Sequence, residues 1–117
     1  MKQAQAEQDD YTERLAMRLA GEGSFAMEPL ACVALNRLRA GWNRELLLDR
    51  ETTPFYAPDV PVEPWQVEIV SQVLNGQTGC DERLYYALGS GDSWRPHEGD
   101  AILVIVSGPK SVLFFGR

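Results

Sequence analysis

The sequence predicts an α+β fold in which three N-terminal helices precede a small antiparallel sheet. Apolar residues recur at helical spacing in three segments before residue 76. β-Branched and aromatic runs then fill the last third of the chain. A length of 117 residues holds one hydrophobic core.

The elements follow in chain order. Residues 1–10 are rich in Gln, Glu and Asp without apolar periodicity and are expected to form a flexible lead-in, leaving 11–117 as a single domain. The first helix is expected over about 11–20, with Asp10 as N-cap and Glu13 completing a capping box. Leu15, Ala16 and Leu19 supply its inner stripe, Arg14 and Arg18 point outward, and Gly21 stops it. The second helix opens at Glu28-Pro29, buries Leu30, Val33, Ala34, Leu35 and Leu38, and ends at Gly41. A long segment over 42–62 holds Pro54, Pro58 and Pro61 and reads as an irregular, groove-lining loop. The third helix opens at Glu63-Pro64, turns Trp65, Val67, Ile69, Val70, Val73 and Leu74 inward, and closes at Asn75-Gly76. Strands are expected over 84–88, 101–106 and 112–115, the last two joined as a hairpin across Ser107-Gly108-Pro109-Lys110.

Composition excludes several functions. Eleven basic against 17 acidic residues give a formal charge of −6, and no Lys/Arg cluster interrupts it, which argues against nucleic acid as a partner. No apolar run approaches the roughly 20 residues of a membrane span. The first ten residues lack the basic-then-apolar pattern of a secretory leader, so none is expected there. Two cysteines are too few for a thiolate metal site, and no cofactor is implied. Cys32, set in an apolar helical pattern, is expected as a buried thiol; the alternative is a Cys32–Cys80 disulfide.

The chemistry-bearing residues are few. The single histidine, His97, falls in a loop and is expected to be solvated, and neither Ser24 nor Ser90 sits in a nucleophile elbow. Glu22 stands out among the carboxylates because it lies between two glycines at the exit of an apolar helix. Partial burial and the negative end of the helix dipole would raise its pKa toward that of a general acid, the group that glycoside cleavage requires. The plain alternative is a turn residue.

Leu15-Ala-Met-Arg-Leu-Ala-Gly-Glu22-Gly resembles the opening motif of the cell wall hydrolases of the spore-cortex-lytic (SleB) type, in which an apolar helix runs into the catalytic Glu. Leu30-Ala-Cys-Val-Ala-Leu35-Asn36-Arg37 is similar to the family's following helix, which ends in Val-Leu-Asn-Arg. Thr53-Pro54-Phe55-Tyr56, Leu74-Asn75-Gly76, Thr78-Gly79, Tyr85-Tyr86 and the closing Phe114-Phe115 continue the likeness in the same order, from Arg14 to Arg117. The chain departs from the family at Pro54, where a Gln stands before the Phe, and at Ala87-Leu88-Gly89, where an Asn-Pro is usual.

The resemblance implies a lysozyme-like core and lytic transglycosylation of peptidoglycan or a related glycan, with Glu22 as acid and base. The internal 6-hydroxyl nucleophile makes a second carboxylate unnecessary. Hydrolysis would instead call for a partner such as Asp49 or Glu51, both otherwise surface charges. Phe55, Tyr56, Tyr85, Tyr86 and Trp94 are the expected sugar-stacking residues, while Tyr11, Trp42 and Trp65 are assigned to packing. Asn36 and Arg37 are expected to brace the loop carrying Glu22. An active enzyme would work at the cell envelope or with a phage; the oligomeric state is open. The competing expectations are a non-catalytic glycan-binding or structural module on the same fold, and a small intracellular protein that meets a protein partner through the 42–62 loop.

Overall fold

The computed structural model describes residues 2–21, 24–48, 60–89, 101–107 and 110–116. Helix α1 (Lys2–Ala20) leads through a 3-10 turn (Ser24–Ala26) into α2 (Met27–Arg39). A second 3-10 turn (Arg44–Leu48) precedes α3 (Pro64–Leu74), and strands β1 (Tyr86–Gly89), β2 (Leu103–Ser107) and β3 (Lys110–Phe115) close the chain. The class is mixed α+β, with α3 in mid-chain rather than at the N-terminal end.

Helix α2 is the centre of the molecule. Leu30, Ala31, Cys32, Val33, Ala34, Leu35, Asn36 and Arg37 are all buried, so this helix is covered on nearly every side rather than along one stripe. It packs on α3, α1 and β1, and the shared core takes in Leu15 and Leu19 of α1 and Val70 and Val73 of α3. Leu47 and Leu48 of the second 3-10 turn are also buried, so the start of the expected irregular loop is core structure.

Both α2 and α3 end in the same hydrogen-bonded cap. After α2, the Gly41 N–H donates to the Leu38 carbonyl (3.1 Å) and the Trp42 N–H to Arg37 (3.0 Å), with Gly41 at φ 99°. After α3, Gly76 donates to Val73 (3.0 Å) and Gln77 to Gln72 (2.9 Å), with Gly76 at φ 74°. This Schellman arrangement needs a residue in the left-handed region, where a Cβ is penalised. At the other end of α3, Pro64 opens the helix while the Gln66 side chain accepts from the Glu63 N–H at 2.8 Å.

The sheet has the order β1-β3-β2 and is antiparallel throughout. Pairings Leu103↔Phe114, Ile105↔Val112 and Ala87↔Phe114 put these residues on the core face, whereas Val104 and Val106 alternate outward and are exposed. Strand β2 also contacts the Ser24–Ala26 turn, which is thereby held between sheet and α2.

Four local expectations change. Helix α1 begins at Lys2, so Asp10 lies inside it rather than at its N-cap. Ala, Gln, Glu and Lys dominate the residues before Asp10, and such residues propagate an existing helix without needing an apolar stripe. Arg18 is only partly exposed and its Nη1 is buried, unlike the exposed Arg14. Trp65 is 48% exposed and donates its indole N–H to the Glu63 carboxylate, so it is not part of the inner face of α3. Finally, Cys32 and Cys80 form a disulfide, with Cα atoms 5.6 Å apart. Pairing depends on contact between α2 and the segment after α3, and apolar periodicity around Cys32 carries no information about that contact.

Gly41→Ala places a Cβ in open space but in the left-handed region. Its cost is therefore purely conformational, about 1–2 kcal/mol, and is expected as a lower urea midpoint at unchanged m-value. An unchanged midpoint would contradict the cap.

Candidate functional site

Segment 80–85 lies along α2 and is tied to it by side chains spaced one turn apart. Cys32 bonds Cys80. The Asn36 amide donates to the carbonyls of Asp81 (3.0 Å) and Leu84 (2.8 Å). Arg37 Nε donates to the carbonyl of Tyr85 at 2.9 Å. These bonds satisfy main-chain acceptors of an irregular segment that has no regular ladder until β1 begins. Asn36 and Arg37 thus brace 81–85, and their described bonds do not reach back toward residue 22.

Arg37 is 2% exposed and sits within an aromatic cluster. Its guanidinium carbon lies 4.7 Å from the ring centroid of Trp42, 5.5 Å from that of Tyr86 and 5.7 Å from that of Tyr85. The negative ring faces offset part of the cost of withdrawing the cation from water. The rings also order one another: Trp42 Nε1 donates to the Tyr85 hydroxyl at 2.8 Å, and Tyr85 meets Tyr86 edge-on at 5.0 Å. Of the five expected sugar-stacking residues the structure brings Tyr85 and Tyr86 together, but against a buried arginine. Tyr85 is 7% exposed, while Tyr86 is half-buried.

Three clefts open around this framework. One of about 560 Å³ lies at the C-terminal end of α2, lined by Asn36, Arg39, Glu82, Arg83 and Tyr85. A second, about 630 Å³, is lined by Tyr11, Arg14, Trp42, Arg44 and Glu45. There the Tyr11 hydroxyl donates to the Arg44 carbonyl (3.0 Å), and burial pushes its pKa up to about 12 despite the nearby Arg44 guanidinium. The third, about 320 Å³, lies at the start of α2, lined by Phe25, Glu28, Pro29 and Cys32 on one side and Gly79, Asp81 and Leu84 on the other.

Asp81 is the one carboxylate among the described residues with a resolved shift. Hydrogen bonds from the Arg83 side chain (2.7 Å from Nη2) and from the Arg83 N–H (2.9 Å) hold its pKa down to about 2. It is therefore a fixed anion at neutral pH.

Glu22, Phe55, Tyr56 and Trp94 lie outside the described residues, as do Pro54, Asp49, Glu51 and His97. The described chain reaches Glu22 from both sides: Gly21 is buried at the end of α1, and Ser24 begins the turn that packs against β2. Phe25, in that turn, is 76% exposed and was not among the sequence candidates. An aromatic residue between a Gly-flanked Glu and a Pro-opened helix was the available signal. Among the described residues no group of three potential metal ligands converges, and no helix is long and apolar enough to cross a membrane.

Removing the tether should cost stability. Asn36→Ala leaves two carbonyls without their donor, and a loss of about 1–3 kcal/mol is expected in urea unfolding. Arg37→Lys keeps the charge but loses the planar stack and the Nε geometry, so it should also destabilise; wild-type stability in either variant would contradict the bracing role. Asp81, whose folded pKa lies below its unfolded value, contributes stability above about pH 4 that is lost as pH falls toward 2. Carboxyl NMR should place its midpoint near 2 and return it toward 3.8 in Arg83→Ala; a midpoint near 3.8 in the wild type would contradict the contact. No protein-family model, curated protein or solved structure matches the chain.

Proposed function

We propose that the chain cleaves the β-1,4 bond between N-acetylmuramic acid and N-acetylglucosamine in peptidoglycan by lytic transglycosylation, with Glu22 as its acid and base. The observation that carries this reading is the collinear set of motifs that resembles the spore-cortex-lytic cell wall hydrolases. The architecture is compatible with it, because the motifs fall at structural junctions. Leu15 and Leu19 are buried in the helix that runs toward Glu22, Asn36-Arg37 ties α2 to Tyr85, and Asn75-Gly76 forms the cap of α3. The disulfide adds support, since such bonds persist in oxidising compartments outside the cytosol.

The chemistry needs one carboxyl group. Glu22 follows the end of α1 by two residues in the sequence and, in this reading, starts the reaction as the protonated acid. The acid donates its proton to the glycosidic oxygen as the bond to C1 breaks. The resulting carboxylate then takes the proton of the muramyl 6-hydroxyl while that oxygen bonds to C1. The products are a free 4-hydroxyl on the released sugar and a 1,6-anhydro ring, with Glu22 protonated again and no water consumed.

One observation favours glycan binding without cleavage. Ala87 and Leu88, which stand where the family has Asn-Pro, are both buried, so their side chains present no polar group to a sugar.

Incubation with purified peptidoglycan separates the two readings. Cleavage predicts anhydro-muropeptides in the soluble fraction, detected by mass spectrometry, and their loss by at least about a hundredfold in Glu22→Gln. Sedimentation with insoluble wall and no release supports the binding module instead. Neither release nor sedimentation would overturn both.

A further inference from the structure

The cleft at the start of α2 has the chemical make-up of a saccharide site. A pyranose ring presents apolar C–H faces and a rim of hydroxyl groups, so it is recognised by an aromatic platform combined with fixed acceptors. Phe25 offers the platform: it is 76% exposed in a turn whose next residue, Ala26, is fully buried, so its backbone is anchored while its ring faces outward. Glu28, in the first turn of α2, and Asp81, oriented by its pairing with Arg83, contribute carboxylates to the same cleft. A carboxylate has about four acceptor positions, and Arg83 takes those of Asp81 through its N–H, Nε and Nη2, so Glu28 supplies the acceptor for a sugar hydroxyl while Asp81 fixes the opposite wall.

The two walls are also fixed relative to each other. Glu28 and Pro29 belong to α2, and Gly79 and Asp81 to the segment after α3; the Cys32–Cys80 disulfide joins the two. Preorganisation of this kind lowers the cost of ordering a site on binding. At about 320 Å³ the cleft lies at the small end of ligand sites, which suits one ring of a longer chain that continues beyond it.

We infer that this cleft is a saccharide subsite, with the Phe25 ring stacking on a pyranose face of a β-1,4-linked N-acetylhexosamine chain and Glu28 accepting its hydroxyl hydrogens. The inference rests on the glycan reading above and deepens it. It places a sugar-binding position three residues along the chain from the proposed acid, at a residue that the family likeness does not single out.

The test uses the full, disulfide-intact chain carrying Glu22→Gln, so that binding is read without turnover, and chitotetraose as the probe. Binding is followed by two-dimensional NMR, with shifts expected at the Gly79 and Asp81 amides. Adding Phe25→Ala should weaken the affinity about tenfold, and Phe25→Trp should restore it. Because Phe25 is exposed, these changes leave the core untouched. Gly79→Ile provides an independent block: Gly79 lines the cleft and a Cβ there meets nothing within 4 Å, so the larger side chain is accommodated at the cleft wall and binding should again fall. Chitotetraose binding that is indifferent to Phe25 and Gly79 would overturn the subsite while leaving the glycan reading intact. Absence of chitotetraose binding would also overturn it, and muropeptide release by the wild-type chain then judges the proposed activity separately.

Discussion

The structure depends on the attachment of one irregular segment to one helix. Residues 80–85 connect α3 to the sheet, and the carbonyls of Leu84 and Tyr85 in this segment are buried. Asn36 and Arg37 of α2 donate to the carbonyls of Asp81, Leu84 and Tyr85, and Cys32, one turn earlier, adds a covalent bond to Cys80. A cross-link spanning 48 residues of sequence removes unfolded-chain entropy worth about 4 kcal/mol in the chain-entropy treatment. That is a large share of the stability of a domain this small.

The clefts follow from this attachment. Two of them open along the seam between α2 and the 80–85 segment, one at each end of the helix. Arg37 at the C-terminal end of the seam gathers Trp42, Tyr85 and Tyr86, so the aromatic residues nearest the larger of these two clefts are committed to a buried cation. The smaller cleft keeps an exposed ring, Phe25, three residues after Glu22 in the sequence. The buried aromatic cluster and the exposed aromatic ring thus fall to different residues.

Much of this order was legible in the sequence. Glycines after Leu-rich helical runs marked both Schellman caps, and the alternating run of β2 marked a strand with one exposed face, because such signals are local and follow backbone geometry. The start of α1 was obscured because Asp10 has the chemistry of an N-cap yet also tolerates a helix interior once good formers precede it. The disulfide and the Arg37 cluster depend on contacts 43 to 48 residues apart in sequence, which periodicity does not encode. Tyr85 and Tyr86 show the same limit: that their rings lie against Arg37 is set by the fold and not by their type. Phe25, a lone aromatic in a short turn, carries no periodic signal, and its exposure and the Glu28 and Asp81 that line the cleft with it are set by the fold.

The account stands on the tie between α2 and the 80–85 segment, and its covalent part can be read directly. Protein equilibrated in a glutathione buffer at the potential of an oxidising compartment, alkylated without reduction and digested, should yield a single linked peptide containing Cys32 and Cys80, with no alkylated thiol at either position. Two alkylated cysteines in the folded protein would contradict the seam on which both clefts are built.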